Sequence, residues 1–121
     1  MAFQALLAKR LERAFVESLV KLELARIVDN VHPTLVYLFG SAARGEMTDA
    51  SDLDFLVVVP NDAPMKALKR RYYESPGERK IPVDVIFVTE TDFDTRSRVG
   101  GICMVCVDEG RIVHRAQQGA A

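Results

Sequence analysis

The sequence predicts an α/β (α+β) domain in which a small mixed β-sheet is flanked by helices. Two observations indicate this fold class. Three compact apolar runs, at 34–39, 53–59 and 81–88, are rich in β-branched and aromatic residues and have the length of buried strands. Segments with apolar residues at spacings of three and four precede or separate these runs, as in amphipathic helices. Strands separated by helices in this way form sheets with helices packed against them.

The size and composition of the chain predict one domain, residues 1–121. The chain has 121 residues, of which 49% are hydrophobic, so a core can form without disulfides, metals or a second domain. The formal charge of −1 shows no excess of positive charge that would attract a nucleic acid or an anionic membrane, and we expect direct contact with neither. Because no spanning segment or secretory signal is visible, we expect a cytoplasmic protein.

A long amphipathic helix is expected at the start of the chain, within residues 1–30. Apolar residues recur every three or four positions from about Phe3 to Val28, among charged residues. The helix is expected to end between Asp29 and Pro33, because a residue before proline is pushed out of the α region. The sheet and the remaining helices are then expected within residues 34–115.

The remaining elements follow from the apolar runs and from turn residues. The first strand stops at Gly40-Ser41, and a short helical turn is expected to follow Ser41. The second strand, Leu53–Val59, is expected to direct alternate side chains to opposite faces of the sheet. Thr91, with Asp94 three residues later, is expected to cap a later helix. The other expected features are a helix at Ala63–Ser75, a strand at Ile81–Val88, a break at Gly100-Gly101, a helix end at Gly110 and a strand at Arg111–His114.

Two further features each have a structural and a functional interpretation. Cys103 and Cys106 are best explained as small buried side chains one helical turn apart, since a zinc site needs more ligands. A basic stretch is explained either as a solvated helix face or as a contact with a nucleotide, an RNA or an acidic partner. It consists of Lys66, Lys69, Arg70, Arg71, Arg79 and Lys80, with Tyr72 and Tyr73 between them.

The segment from Gly40 to Asp54, between two predicted strands, begins with a candidate anion site. Gly40 allows a tight turn and the close approach of a ligand, and Ser41 offers a hydroxyl beside several backbone N–H donors. A Gly-Ser pair is also common where a strand ends and a helix begins, so a helix-capping role for Ser41 remains open.

Three aspartates follow on predicted neighbouring strands. The period of two places Asp52 and Asp54 on one face, where hard oxygen ligands suit Mg²⁺. Alternatively, Ser51-Asp52 is turn chemistry and Asp54 is a solvated strand residue. Asp84 stands within an apolar run, where a buried carboxylate costs several kcal/mol unless a cation or hydrogen bonds compensate it. Three such acids beside an anion site are what a divalent metal bound to a triphosphate requires, although a structural, hydrogen-bonded Asp84 remains open.

These residues make the chain similar to the nucleotidyltransferase superfamily typified by DNA polymerase β, and specifically to its minimal, single-domain members. The family pattern is Gly-Ser, ten residues, then Asp-x-Asp. Here Gly40-Ser41 is followed by the ten residues 42–51 and by Asp52-Leu53-Asp54. The resemblance implies the polymerase β-like nucleotidyltransferase fold. It also implies that Arg44 contacts a phosphate or pairs with a nearby acid.

The resemblance implies a role for each of the other matching residues. Gly40 and Ser41 would hold the phosphates of a nucleoside triphosphate. Asp52 and Asp54 would bind two Mg²⁺ ions, and Asp84 would complete the site and help to deprotonate the attacking hydroxyl. The expected reaction is attack of an acceptor hydroxyl on the α-phosphorus, with release of pyrophosphate.

The resemblance also implies a partner. The small members look like the antitoxins of HEPN/MNT toxin–antitoxin pairs, in which the antitoxin adenylylates a hydroxyl side chain of a HEPN-domain ribonuclease toxin with ATP. A hetero-oligomer would then supply the acceptor. Two alternatives remain open: a non-catalytic binding module that neutralises its partner by contact, and transfer to a small molecule such as an antibiotic.

Overall fold

The computed structural model describes residues 9–117 as a four-stranded sheet with helices on both faces. No helix within these residues is both long and apolar enough to cross a membrane. The elements, in chain order, are α1 (Arg13–Val31), β1 (Leu35–Phe39), α2 (Gly40–Arg44), β2 (Leu53–Val59), α3 (Met65–Tyr73), β3 (Val83–Thr89), α4 (Glu90–Val99), α5 (Ile102–Glu109) and β4 (Arg111–Arg115).

The sheet is mixed, which confirms the predicted fold class. Its strand order is β3-β2-β1-β4. β1 runs antiparallel to both β2 and β4, whereas β2 and β3 are parallel. The parallel pair is joined through α3, because parallel neighbours need a long crossover connection. This order makes β3 and β4 the edge strands.

Each face of the sheet has its own apolar core, and β2 contributes to both. Leu53, Phe55, Val57 and Val59 face α1 and α3, where they pack with residues such as Ile27, Leu68 and Tyr72. On the other face, Leu56 and Val58 pack with Tyr37, Val88 and the helices α4 and α5. The predicted alternation along β2 is therefore confirmed. Cys103 and Cys106 are buried, unpaired members of the second core, as predicted.

The first helix begins later than predicted. It starts at Arg13, and the expected start at Phe3 lies outside the described residues. Residues 9–12 are not helical, because their backbone pairs with a later segment. The Leu11 N–H donates to the Met47 carbonyl at 2.9 Å, and Arg10 forms an isolated bridge with Thr48. The helix ends at Val31, within the predicted segment.

The predicted cap of α4 was two residues too late. β3 continues through Thr89, and α4 begins at Glu90 without a loop. The Thr89 hydroxyl accepts a hydrogen bond from the Asp92 N–H at 3.2 Å, so Thr89 is the N-cap. Thr91 lies in the first turn, where its N–H donates to Asn61 Oδ1. The break at Gly100-Gly101, the helix end at Gly110 and the last strand are confirmed.

Candidate active site

The predicted functional residues meet at the end of the sheet where β1 stops and the parallel pair begins. Phe39, the last residue of β1, lies opposite Asp54 in the antiparallel ladder. Asp54 in turn lies beside Asp84 in the parallel ladder, at the roughly 4.8 Å spacing of neighbouring strands. Because Gly40 directly follows Phe39, the β1–α2 turn, Asp54 and Asp84 share one end of the sheet.

Gly40 is required at this turn for two reasons. Its φ of +71° lies in the left-handed region, which side chains rarely adopt. A Cβ atom here would also overlap Asp54 Oδ2 and lie 3.2 Å from Asp54 Cγ. The backbone of the turn is therefore in close contact with a candidate catalytic carboxylate, and only glycine permits that contact.

Ser41 does not cap α2. The helix begins at Gly40, the cap position is occupied by Phe39, and no side-chain hydrogen bond caps the helix. Ser41 lies one residue into the first turn, half-buried, and its carbonyl accepts the Glu46 N–H at 2.9 Å. The helix-capping alternative for Ser41 is therefore excluded, and its hydroxyl remains a candidate ligand for an anion.

Asp54 is half-buried, and the pKa of its carboxyl is shifted by its surroundings. Burial raises the pKa of its carboxyl above the usual value, and the charges of Asp84 and then of Asp52 raise this pKa further. The guanidinium of Arg44 acts in the opposite direction and lowers the pKa. Asp84, Asp52 and Arg44 thus all act on Asp54, and the alternative of Asp54 as a solvated strand residue does not hold.

Asp52 is exposed and immediately precedes β2. The turn before it is closed by the neighbouring serine, since the Thr48 N–H donates to Ser51 Oγ at 2.9 Å and the Ser51 N–H donates to the Thr48 carbonyl at 3.1 Å. The turn chemistry predicted for this segment therefore belongs to Ser51. Neither of these bonds uses the Asp52 carboxylate.

Asp84 is exposed, which corrects the expectation of a buried carboxylate. It is the second residue of β3, an edge strand, and the apolar contacts of β3 on that face come from Ile86 and Val88 further along. The cost of burying a charge therefore does not apply to Asp84. The side chain lies on the same face as Asp54, because paired residues of neighbouring strands point the same way.

Arg44 pairs with an acid, one of the two roles expected for it. Its Nε lies 3.4 Å from Glu46 Oε2, and both side chains are 50% exposed. An exposed pair of this kind contributes at most about 1 kcal/mol. A bound phosphate can therefore compete for Arg44 at little cost.

The carboxylate oxygens are the ligand type that magnesium prefers, although the carboxylates do not form a complete metal-binding site. Among residues 9–117, no group of three or more His, Cys, Asp or Glu side chains could hold a metal ion as it stands. Magnesium usually takes one or two protein carboxylates and completes its shell with waters and substrate phosphates. A carboxylate that is repelled by two others, beside an anion site, fits that mode of binding.

The part of the basic stretch that lies on α3 is on the opposite face of the sheet from Asp54 and Asp84. α3 packs with α1 against Phe55 and Val57, whereas Asp54 alternates onto the other face. The structure therefore does not support contact of these α3 residues with a nucleotide at the proposed site. Lys69 lies over the ring of Phe87, 5.6 Å from its centroid.

One residue that the sequence analysis missed, Glu23, anchors part of this stretch. Glu23 is 5% exposed, accepts a hydrogen bond from the Tyr72 hydroxyl, and pairs with Arg79 Nε at 3.2 Å. Burial and the hydrogen bond with Glu23 raise the pKa of Tyr72. The available signal was the position of Glu23 on the buried stripe of α1, between Val20 and Ile27.

Comparison with known proteins gives one family match. The model of the nucleotidyltransferase domain family matches residues 12–113, which includes all the candidate site residues. No curated protein matches the sequence.

Two solved structures share the fold. One is described as a "putative nucleotidyltransferase" from Sulfolobus solfataricus; it has a TM-score of 0.55, 22% sequence identity, and coverage of 88% of this chain and 86% of that chain. The other is described as a toxin–antitoxin with AMP-PNP, with a TM-score of 0.50, 24% identity, and coverage of 79% of this chain and 73% of that chain. At these identities the likenesses show the fold alone.

Proposed function

The chain belongs to the nucleotidyltransferase domain family, and from that premise we propose that it transfers AMP from ATP to a hydroxyl side chain of a partner protein. We expect residues 1–121 to form a single domain, with its catalytic sheet and helices within residues 34–115. The observation that carries the proposal is the contact between Gly40 and Asp54, which leaves no room for a Cβ atom. Such an approach between a turn and a carboxylate is useful where a phosphate and its metal must meet.

Each site residue has a proposed task. Gly40 and Ser41 hold the triphosphate through backbone N–H groups and the serine hydroxyl, and Arg44 exchanges Glu46 for a phosphate oxygen. Asp52, Asp54 and Asp84 hold magnesium, with two ions expected. The magnesium would neutralise charge on the phosphates and lower the pKa of the acceptor hydroxyl. Supporting this assignment, Asp84 and Asp52 both repel the Asp54 carboxylate in the absence of a cation.

The proposed reaction is a single in-line displacement. The acceptor oxygen forms a bond to the α-phosphorus, the bond to the β-phosphate oxygen breaks, and pyrophosphate leaves. Asp84 accepts the proton of the acceptor hydroxyl. Its exposure on an edge strand supports this role, because the acceptor must approach from solvent. Positioning by Gly40 and Ser41 and charge neutralisation supply the rate.

We propose a HEPN-domain ribonuclease toxin as the partner, joined with this chain in a hetero-oligomer. The structural neighbour described as a toxin–antitoxin with AMP-PNP supports both a protein partner and an adenine nucleotide. The exposed end of the sheet that carries Asp52 and Asp84 gives a separate acceptor protein access to the site.

The test is the intact mass of the product of the neighbouring gene after incubation with this protein, ATP and Mg²⁺. We expect a gain of one or more AMP units that disappears with the Asp52→Asn variant. Asp49→Asn is the matched control, because Asp49 is an exposed aspartate of the same segment outside the proposed site. It should transfer as the unchanged protein does.

Other outcomes of this experiment assign a different function. An unmodified partner that still co-purifies with the chain indicates a non-catalytic binding module. Transfer to a free antibiotic without any protein partner indicates a small-molecule nucleotidyltransferase. Equal transfer by wild type and Asp52→Asn contradicts the assignment of the site.

A further inference from the structure

A cavity of about 270 Å³ opens beside α2, and Arg44 of the proposed site is among the residues that line it. It is bounded by the start of α1, by α2 with the residues that follow it, and by the first residue of β4. The residues that line it include neither Gly40 nor Ser41, and none of Asp52, Asp54 and Asp84. The cavity therefore borders the proposed nucleotide site at Arg44 and lies outside its Gly40-Ser41 turn and its three aspartates.

The lining combines an apolar floor with several guanidinium groups. Arg13, Arg44 and Arg111 line the cavity from three different elements, and Glu17 is the acid among the lining residues. Arg44 is paired with Glu46 and Arg111 with Glu17, so Arg13 leaves the lining with a net positive charge that would attract an incoming anion. The apolar part of the lining consists of Leu11, Val16, Ala42, Ala43 and Met47.

Arg111 is only partly satisfied where it borders the cavity. Its Nη2 donates to Glu17 Oε1 at 2.7 Å. Its Nε is buried and has no hydrogen-bond partner within residues 9–117. A buried N–H without an acceptor costs free energy, whereas a guanidinium offers parallel donors suited to a carboxylate or a phosphate. Arg111 therefore borders the cavity with one of its donors unpaired.

We propose that this cavity is a binding site for a small organic anion that has a compact apolar body and one carboxylate or phosphate group. The acidic group interacts with the arginines, and the apolar body covers the floor near Met47. The volume is slightly below the range of about 300 to 1,000 Å³ typical of small-molecule sites, so a compact ligand fits best. The lining has no aromatic side chain on which a nucleobase could stack.

The test uses benzoate and phenyl phosphate as probes, with benzyl alcohol as the uncharged control. The readout is the methyl signal of ¹³C-labelled Met47 in the full chain, because Met47 is 2% exposed and lines the cavity. We expect saturable shifts with at least one of the two anions and none with benzyl alcohol. The anion that binds with the higher affinity identifies the acidic group that the site prefers. ATP and Mg²⁺ are omitted, so this result is independent of the proposed transfer activity.

Two variants change the affinity in opposite directions. Arg111→Met should weaken binding of the anion roughly tenfold or more, because charge-assisted hydrogen bonds are lost. Glu17→Gln should strengthen it several-fold, since Arg111 loses its competing carboxylate. Arg115→Met is the matched control, because Arg115 lies on the same strand but outside the lining, and it should leave the affinity unchanged.

The absence of any saturable shift overturns the proposal, as does binding of benzyl alcohol equal to that of the anions. Equal losses of affinity in Arg111→Met and Arg115→Met overturn it too, because the attraction would then be a general effect of charge. Should Arg111→Met fail to fold, Glu17→Gln decides alone: unchanged or weaker binding in that variant contradicts the proposal.

Discussion

At the scale of single residues, Gly40 and Gly45 are glycines for different reasons. Gly40 is in close contact with Asp54, whereas Gly45 has only the backbone conformation to explain it. Gly40 and Gly45, at the two ends of α2, both have φ of +71°. A Cβ at Gly40 would overlap Asp54 Oδ2, whereas a Cβ at Gly45 would have no heavy atom within 4 Å. The two positions thus share one backbone conformation and differ in their surroundings.

We predict that Gly40→Ala is more damaging than Gly45→Ala. Both substitutions force alanine into the left-handed region, which costs about 1 to 2 kcal/mol. Gly40→Ala must also displace the Asp54 carboxylate, so it should lower the free energy of unfolding further and weaken nucleotide binding. Urea unfolding and nucleotide titration of both variants check this. Equal effects on both properties would show that the close contact is unimportant.

Cys106 gives a prediction that depends on pH. Burial, followed by the nearby Cys103, raises the pKa of the Cys106 thiol from 9.0 to about 12. In the unfolded chain this thiol ionises near pH 9 but in the folded chain it stays protonated, so between these values the unfolded state binds fewer protons. Stability must therefore fall as the pH rises above about 9.

We expect Cys106 to be unreactive towards a thiol reagent at pH 8 in the folded protein and reactive in urea, because the thiolate is the nucleophile. The measurement is the rate of reaction with Ellman's reagent, using Cys103→Ala to isolate Cys106. Fast reaction in the folded state would contradict the burial of this side chain. Unfolding by urea at pH 8 and pH 10 tests the accompanying loss of stability.

Among single residues, the positions of the motif residues in the sequence predicted the candidate site correctly, whereas the expected burial of one of them was wrong. Gly40, Asp54 and Asp84 come together at one end of the sheet, as their places in the sequence predicted. The exposure of Asp84 was not predictable, because an apolar run does not reveal that its strand lies at an edge. Glu23 was missed because its partners Tyr72 and Arg79 are distant in the sequence.

At the scale of elements, substitutions at the junction of β3 and α4 test which threonine is the N-cap of the helix. We predict that Thr89→Ala destabilises the protein by about 1 kcal/mol, because the hydroxyl that accepts the Asp92 N–H is lost. Thr91→Ala is the matched control: Thr91 is exposed, and its contact with Asn61 uses only the backbone. That variant should remain within about 0.5 kcal/mol of wild type.

Thermal or urea unfolding of the two threonine variants provides the comparison. The reverse order, with Thr91→Ala the more damaging, would restore the cap position that the sequence indicated.

Element types were more predictable than element boundaries. β2 has the predicted bounds of Leu53 and Val59, because an alternating apolar run ends at proline. The start of α1 was misplaced because Leu11 continues the apolar spacing of the helix while its backbone pairs with Met47. Periodicity reports which side chains are buried, and it does not report such a distant pairing of the backbone.

At the scale of the whole molecule, the fold class followed from the order of elements. The polymerase β-like nucleotidyltransferase fold implied by the resemblance is confirmed by the family match over residues 12–113. The strand order β3-β2-β1-β4 was not predictable from the sequence, since apolar runs do not specify their neighbours. The end of the sheet with Asp52 and Asp84 is exposed, and α3, which carries the first part of the basic stretch, packs on the opposite face.

The central claim is that the three carboxylates and the β1–α2 turn hold a magnesium-bound nucleotide. The most direct measurement is a calorimetric titration with a non-hydrolysable ATP analogue, in Mg²⁺ and in EDTA, for wild type, Asp54→Asn and Asp49→Asn. We predict magnesium-dependent binding by wild type and Asp49→Asn, and its loss in Asp54→Asn, since Asp54 is central to the charge cluster. Equal affinity in Mg²⁺ and EDTA, or unchanged binding by Asp54→Asn, would contradict the account.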